Sequence, residues 1–162
     1  MPIDSDLALS RSEQDEILRT EWNMRISTTS PSGRSNVTPL WFVWHADQVW
    51  AYCRGQKVDN IRRDPRCTVL VDCAVRFREL RGIMIQGDAR VLEDEDAERA
   101  EADLVEVRRL YGIKYHGGHG EDPGAEPVPM AASARGRSWR WVAITPVSTV
   151  TWDNTKLPSR SR

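Results

Sequence analysis

Arg54, Gly55 and Lys57 stand where an apolar strand pattern, Val49 to Cys53, gives way to a short helical pattern, Gln56 to Arg63. Glycine lets the backbone approach a ligand closely, and the first amides of a helix have no partner inside it. Two cations beside such a helix start complete a cradle for an anion such as a phosphate. The spacing is not that of a Gly-rich nucleotide loop, so the same residues also fit a solvated turn with two surface cations. A second unusual stretch is Asn36 to His45, which reads NVTPLWFVWH. As a strand, one face carries Val37, Pro39, Trp41, Val43 and His45. The other carries Thr38, Leu40, Phe42 and Trp44. A half-exposed antiparallel strand alternates apolar and polar residues, and this one does not. Something besides water must cover its second face: the core, a second subunit or a flat ligand. Pro39 lacks an amide donor, which marks an edge or a break in the ladder and leaves backbone groups free for a ligand.

The rest of the chain offers little to a catalytic chemist. No nucleophile, base and orienting acid recur as a triad. His45 reads as a packed or surface histidine at a strand end. His116 and His119 lack a third ligand nearby, so no metal site is expected. The acidic run Glu93 to Asp96 suits a helix start, where the dipole favours negative charge. Cys53, Cys67 and Cys73 form an odd set without a CxxC spacing, which reads as buried thiols in a reducing cytoplasm. The cations are 20 Arg and 3 Lys, a bias of codon usage that makes each lysine worth attention. A net charge of −1 and a pI near 6.3 argue against a nucleic-acid-binding face. The longest strictly apolar run is Leu40 to Trp44, far short of the roughly 20 residues of a membrane span. The acidic start MPIDSDLALS lacks the continuous apolar region of a secretion signal.

The 162 residues fit one domain, with 1–10 and 156–162 frayed. Ser10-x-x-Glu13 is a capping box that starts a helix with an Ile17, Leu18 and Trp22 stripe. Strands follow over Asn23–Thr29, Asn36–His45 and Val49–Cys53, with turns at Pro31-Ser32-Gly33 and Ala46-Asp47-Gln48. Asp64-Pro65 ends the short helix. Cys67–Cys73 and Leu80–Leu92 are strands, the second with a bulge or bend near Gly87. A helix spans Glu93 to Leu110 with Gly112 as its cap. Residues 113–137 form a long loop. Trp139–Thr145 and Val147–Trp152 are the last strands, separated by Pro146. Short meander strands with few helices predict a mainly β (α+β) small barrel with peripheral helices.

These residues, in this order, resemble the pyridoxamine 5′-phosphate oxidase-like split β-barrel family and its flavin and deazaflavin (F420) oxidoreductases. The resemblance rests on the turn at Gly33, the strand Pro39-Leu40-Trp41-Phe42, then Lys57-x-x-Asn60-Ile61 and Arg63-Asp64-Pro65-Arg66. It implies an FMN-binding split barrel in a homodimer, with the cofactor at the subunit interface and a small unsaturated molecule as substrate. Arg54 and Lys57 would contact the cofactor phosphate, with Gly55, Gln56 and Asn60 beside them. Thr38, Pro39, Leu40 and Trp41 would lie along the ring. Arg76, Phe77 and Gly87 would lie near its tail or ring. The seven tryptophans read mainly as core or interface, with Trp41, Trp44 or Trp152 able to stack on a ring by aromatic packing. The oxidases of this group carry a basic Arg-x-x-Leu-Leu-Lys strand, whereas the corresponding strand here has no cation. That departure points away from vitamin B6 oxidation and FMN toward reduced F420. FMN, or a non-catalytic flavin or tetrapyrrole carrier, is the alternative.

Overall fold

The computed structural model describes residues 5–116 and 139–158. Its helices are α1 (Arg11–Thr20), α2 (Gln56–Arg63), α3 (Glu95–Ala100) and α4 (Leu104–Tyr115). Its strands are β1 (Met24–Thr29), β2 (Ser35–Leu40), β3 (Val43–His45), β4 (Gln48–Cys53), β5 (Arg66–Cys73), β6 (Arg81–Val91) and β7 (Arg140–Asp153). All seven pair antiparallel in one sheet, in the order β2-β1-β5-β6-β7-β4-β3. β2 and β3 occupy opposite edges, yet Trp41 and Phe42 alone connect them. A two-residue link spans at most about 11 Å, so the sheet must curl until its edges approach. The result is the mainly β barrel with peripheral helices that the pattern predicts, in the split form that the resemblance implies.

Two apolar clusters sandwich β4. Val49, Ala51 and Cys53 point into the barrel core with Ile26, Val69, Ile85, Val58 and Ile61. Trp50 and Tyr52 point the other way, under Leu104, Val107 and Tyr111 of α4. Alternate residues thus serve two cores, which is why β4 reads as continuously apolar. The expected capping box is present: Ser10 accepts from the Glu13 amide at 3.3 Å, and Glu13 accepts from the Ser10 amide at 2.6 Å.

Several expectations need correction. The stretch Asn36–His45 is two strands, because the Phe42 backbone bonds to α4 rather than to a neighbouring strand. Its amide donates to the Tyr115 hydroxyl at 2.8 Å, and its carbonyl accepts from Lys114 Nζ at 3.1 Å. The Glu93–Leu110 helix is broken at residues 101–103. Asp94 caps the first piece, and the second runs on through Gly112 to Tyr115, so residues 113–115 are helical rather than loop. Residues 117–137 of the expected loop lie outside the described residues. Pro146 does not divide β7. Gly87 pairs with Pro146 and Gln86 with Ser148, leaving Val147 as the extra residue of a bulge. A proline without an amide is tolerated there because the ladder is already interrupted. Residues 5–10, expected to fray, are tied down: Leu9 is buried and its amide donates to Thr151 Oγ1 at 3.0 Å. Lys156 likewise reaches the Ala8 carbonyl at 2.8 Å and Glu13 at 2.9 Å.

Gly87 is required by the close approach of β7. A Cβ there would sit 2.6 Å from the Thr145 carbonyl oxygen, a backbone atom that cannot step aside. Gly87→Ala is expected to lower stability by about 1–3 kcal/mol, read as a lower urea midpoint. Ala46 holds φ 50° in the β3–β4 turn. Ala46→Asn should raise the unfolding free energy by about 0.5–1 kcal/mol, read as a higher urea midpoint, since asparagine tolerates the left-handed region.

Candidate functional site

β4 delivers the chain to Cys53, which is buried, and Arg54 emerges beside it. Gly55 then adopts φ 84°, ψ −153°. Non-glycine residues essentially never occupy this region, so glycine is obligatory for the turn. α2 begins at Gln56 with no side-chain cap on its first amides. Those amides and the helix dipole favour an anion. The Gly55 carbonyl is taken by the amides of Val58 at 2.9 Å and Asp59 at 3.3 Å, which closes the first turn.

The two cations frame this helix start differently. Lys57 folds back, its Nζ donating to the Arg54 carbonyl at 2.9 Å. The Arg54 guanidinium lies over the Trp139 ring, 5.0 Å from its centroid. Trp139 stacks in turn on Tyr52 at 5.2 Å and 14°. Arg54 is therefore held in place by a cation–π contact, and among the described residues no hydrogen bond engages its N–H groups. Burial pushes the Cys53 thiol up to about 11, against a smaller opposite pull from Lys57, so this thiol is no nucleophile near neutral pH.

Asn60 does not face this cradle. It is completely buried, its amide donating to Thr28 Oγ1 at 3.0 Å and accepting from Gln56 Nε2 at 3.0 Å. Arg63 approaches the same oxygen at 3.4 Å and also bonds to the Thr29 carbonyl. Asn60 and Gln56 thus fasten α2 to β1 and set its axis.

The other predicted residues form separate groups within one chain. Thr38, Pro39 and Leu40 lie on β2, an edge strand paired only with β1. Pro39 is exposed, Leu40 packs against the barrel core, and Thr38 Oγ1 is buried without a partner. Trp41 is 42% exposed on one face, while the other stacks on Tyr115 at 4.5 Å and 4°. Arg76 and the exposed Phe77 sit at the β5–β6 connection, the latter in a short 3₁₀ turn. Gly87 lies at the β6–β7 bulge. Among the described residues, no hydrogen bond or ring contact joins the β2 group to the Arg54–Lys57 cradle. Trp44 is occupied: its Nε1–H donates to Asp15 at 3.0 Å. Trp152 lies flat across Gly82, where a Cβ would meet its ring at 2.1 Å. His45 contacts Asp103 at 3.3 Å, which agrees with a packed histidine. The His116–His119 pair falls partly outside the described residues, and no metal-binding cluster occurs among those described.

Sequence reasoning missed the partners of Arg54 and the last turn of α4. Tyr52 and Trp139 are 87 residues apart in the chain, so no local pattern links them. Lys114 lies 4.0 Å above the Phe42 ring, and burial pulls its ammonium down to about 8 against a weaker opposing effect of Glu21. Its rarity among 20 arginines was the available signal.

Residues 10–151 match the family model described as pyridoxamine 5′-phosphate oxidase. The chain belongs to the pyridoxamine 5′-phosphate oxidase family. Its fold is that of the family's flavin-binding oxidoreductases. No curated protein sequence matches it. Similar solved structures include a conserved hypothetical protein of Mycobacterium tuberculosis, 24% identical, with a TM-score of 0.77 over 100% of this chain and 97% of that one. The heme storage protein HutZ of Vibrio cholerae is 13% identical, with a TM-score of 0.64 over 88% of this chain and 94% of that one. An F420 reductase is 16% identical, with a TM-score of 0.55 over 84% of this chain and 92% of that one. Among the described residues, no helix is long and apolar enough to cross a membrane.

Two outcomes test this geometry. Asn60→Ala leaves the Thr28 hydroxyl and the Gln56 amide unpaired and should cost about 2–3 kcal/mol by urea unfolding. Lys114 binds its proton less tightly when folded than when unfolded. Its contribution therefore disfavours folding below about pH 8 and is relieved as pH rises toward the unfolded value of 10.5. The stability difference between Lys114→Met and the unaltered chain, measured by urea unfolding at pH 7 and pH 10, should shift in favour of the unaltered chain at the higher pH.

Proposed function

We propose that this protein is an oxidoreductase that binds reduced F420 and transfers its hydride to an unsaturated small molecule. The carrying observation is the uncapped start of α2, opened by a glycine-only turn and flanked by Arg54 and Lys57. That donor set fits a phosphate: free backbone amides, a helix dipole and two cations lie on neighbouring residues of one turn. In this reading Lys57 exchanges its bond to the Arg54 carbonyl for a phosphate oxygen. Arg54 supplies a fork of donors while Trp139 fixes its plane. Asn60 and Gln56 position the helix without touching the ligand. The bound ring supplies the hydride, and the chain contributes binding, orientation and exclusion of water.

The absence of a cation on β2 supports F420 over FMN, since the oxidase-type strand uses its basic residues on the FMN phosphate. Arg76 suits the carboxylates of the F420 tail, whereas Arg62 is held by Glu93 and Arg63 by Asn60 and the Thr29 carbonyl.

The outer face of the sheet supports a homodimer with the ring between the protomers. The register lines up Pro39, Arg25, Leu70, Met84 and Val150 across five strands, and Val37 beside them is 60% exposed. No element of the described chain covers this row, which is apolar apart from the ion-paired Arg25, and a symmetric copy would. Pairing two copies there also supplies what one chain lacks, a second wall for the ring opposite Thr38–Trp41.

Titration with F420, FMN and hemin tests the assignment, with mass by light scattering. F420 should bind tightest, and the mass should be twice 18.5 kDa. Lys57→Ala should weaken F420 binding about tenfold, the loss of one charge-assisted bond. Gly55→Ala should weaken it at least as much. Failure of all three ligands to bind would remove the redox reading, and unchanged F420 affinity in both variants would remove the phosphate assignment.

A further inference from the structure

Lys114 is one of three lysines in a chain with 20 arginines, and the proposed function gives it no task. The last turn of α4 sets it against Phe42. Its Nζ donates to the Phe42 carbonyl at 3.1 Å and lies 4.0 Å above the Phe42 ring, which is fully buried. Tyr115 stands beside it, with its ring centroid 5.5 Å away and its hydroxyl donating to the same carbonyl at 2.8 Å. An ammonium carries three N–H donors, yet among the described residues this one meets a single acceptor and no ion pair. The other two lysines differ. Lys156 pairs with Glu13 at 2.9 Å, and Lys57 bonds to the Arg54 carbonyl with no ring against it among the described residues. Phe42 and Tyr115 keep water from Lys114, which pulls it down to about 8, with Glu21 opposing weakly. A sizeable part of it is then free amine near neutral pH, the form that condenses with carbonyl compounds.

The surroundings select what could reach that amine. Trp22 meets Tyr115 edge-on at 5.5 Å, and its carbonyl accepts the Tyr115 hydroxyl at 2.9 Å. Trp41 stacks on the same tyrosine at 4.5 Å. Both indoles are held by Tyr115 and still reach solvent, at 56% and 42% exposure. They offer flat apolar faces to a flat partner. Glu21, the charged group acting on Lys114, disfavours an anionic one.

We propose that Lys114 captures neutral aromatic aldehydes as a reversible imine, with the aldehyde ring against Trp22. The amine nitrogen bonds to the carbonyl carbon as the C=O double bond opens, and one amine hydrogen passes to the oxygen. The hydroxyl so formed then leaves with the second amine hydrogen as water, and a C=N double bond remains. The aldehyde is consumed, one water is released, and no electron is exchanged with any other reactant. Water reverses the step. The Phe42 carbonyl keeps its bond from Tyr115 when Lys114 lets go, so the corner holds its shape.

Trapping with cyanoborohydride at pH 7.5 tests this, with benzaldehyde and acetaldehyde as probes and peptide mass spectrometry as the readout. The three lysines fall in separate peptides, and the amino-terminal peptide is scored apart from them. Benzaldehyde should label Lys114 at least about tenfold faster than Lys57 or Lys156. In guanidinium chloride the three rates should become alike. Trp22→Ala, at an exposed position, should slow benzaldehyde labelling of Lys114 about threefold or more and leave acetaldehyde labelling unchanged. Labelling of Lys114 no faster than of Lys57 and Lys156 in the folded chain would overturn the proposal, as would benzaldehyde labelling that ignores Trp22→Ala. No cofactor enters this experiment, so failure of the F420 reading leaves its outcome unaffected.

Discussion

One buried amide holds the geometry of this protein together. Asn60 sits inside the barrel with no access to solvent, and it is tolerable there because both ends of its amide are bonded. Its donor fixes α2 to Thr28 of β1, and its acceptor receives Gln56 from the first turn of the same helix. The direction in which α2 begins, and hence where its free amides point, follows from that pair of bonds. Gly55 supplies the only backbone conformation that lets β4 feed the helix at that angle. The cations add charge to a direction already set by the buried network.

The opposite corner obeys a similar rule. β2 stops at Leu40 because the next residue but one gives its backbone to α4, through Tyr115 and Lys114. The same contacts press Tyr115 flat against Trp41 and leave the far face of the indole open. An exposed indole gripped from behind is a rigid surface, unlike a side chain free to swing. The cradle and this aromatic corner lie on different elements of one chain.

Much of this was legible beforehand. The capping box at Ser10, the eight residues of α2 and the bend near Gly87 rest on interactions within a few residues, which local sequence encodes. The grouping of Arg54, Gly55, Gln56 and Lys57 was legible for the same reason. The break at Trp41–Phe42 was not, because the atoms that cause it belong to residues more than 70 positions later. From sequence Asn60 resembles a ligand contact, because a polar residue beside cations looks like part of their site. Its partner Thr28 comes from another strand, and burial cannot be seen in a single helix turn.

The amino-acid sequence by itself determined where α1, α2, β1, β4, β5 and β6 lie, the charged turn before α2 and the membership of a β-barrel family, since each depends on short-range pattern. The tertiary structure decided which polar residues became struts, which tryptophan kept a free face and which rings touched. Those outcomes depend on how a curled sheet brings distant segments within a few ångströms, and distance along a chain carries no record of that closure.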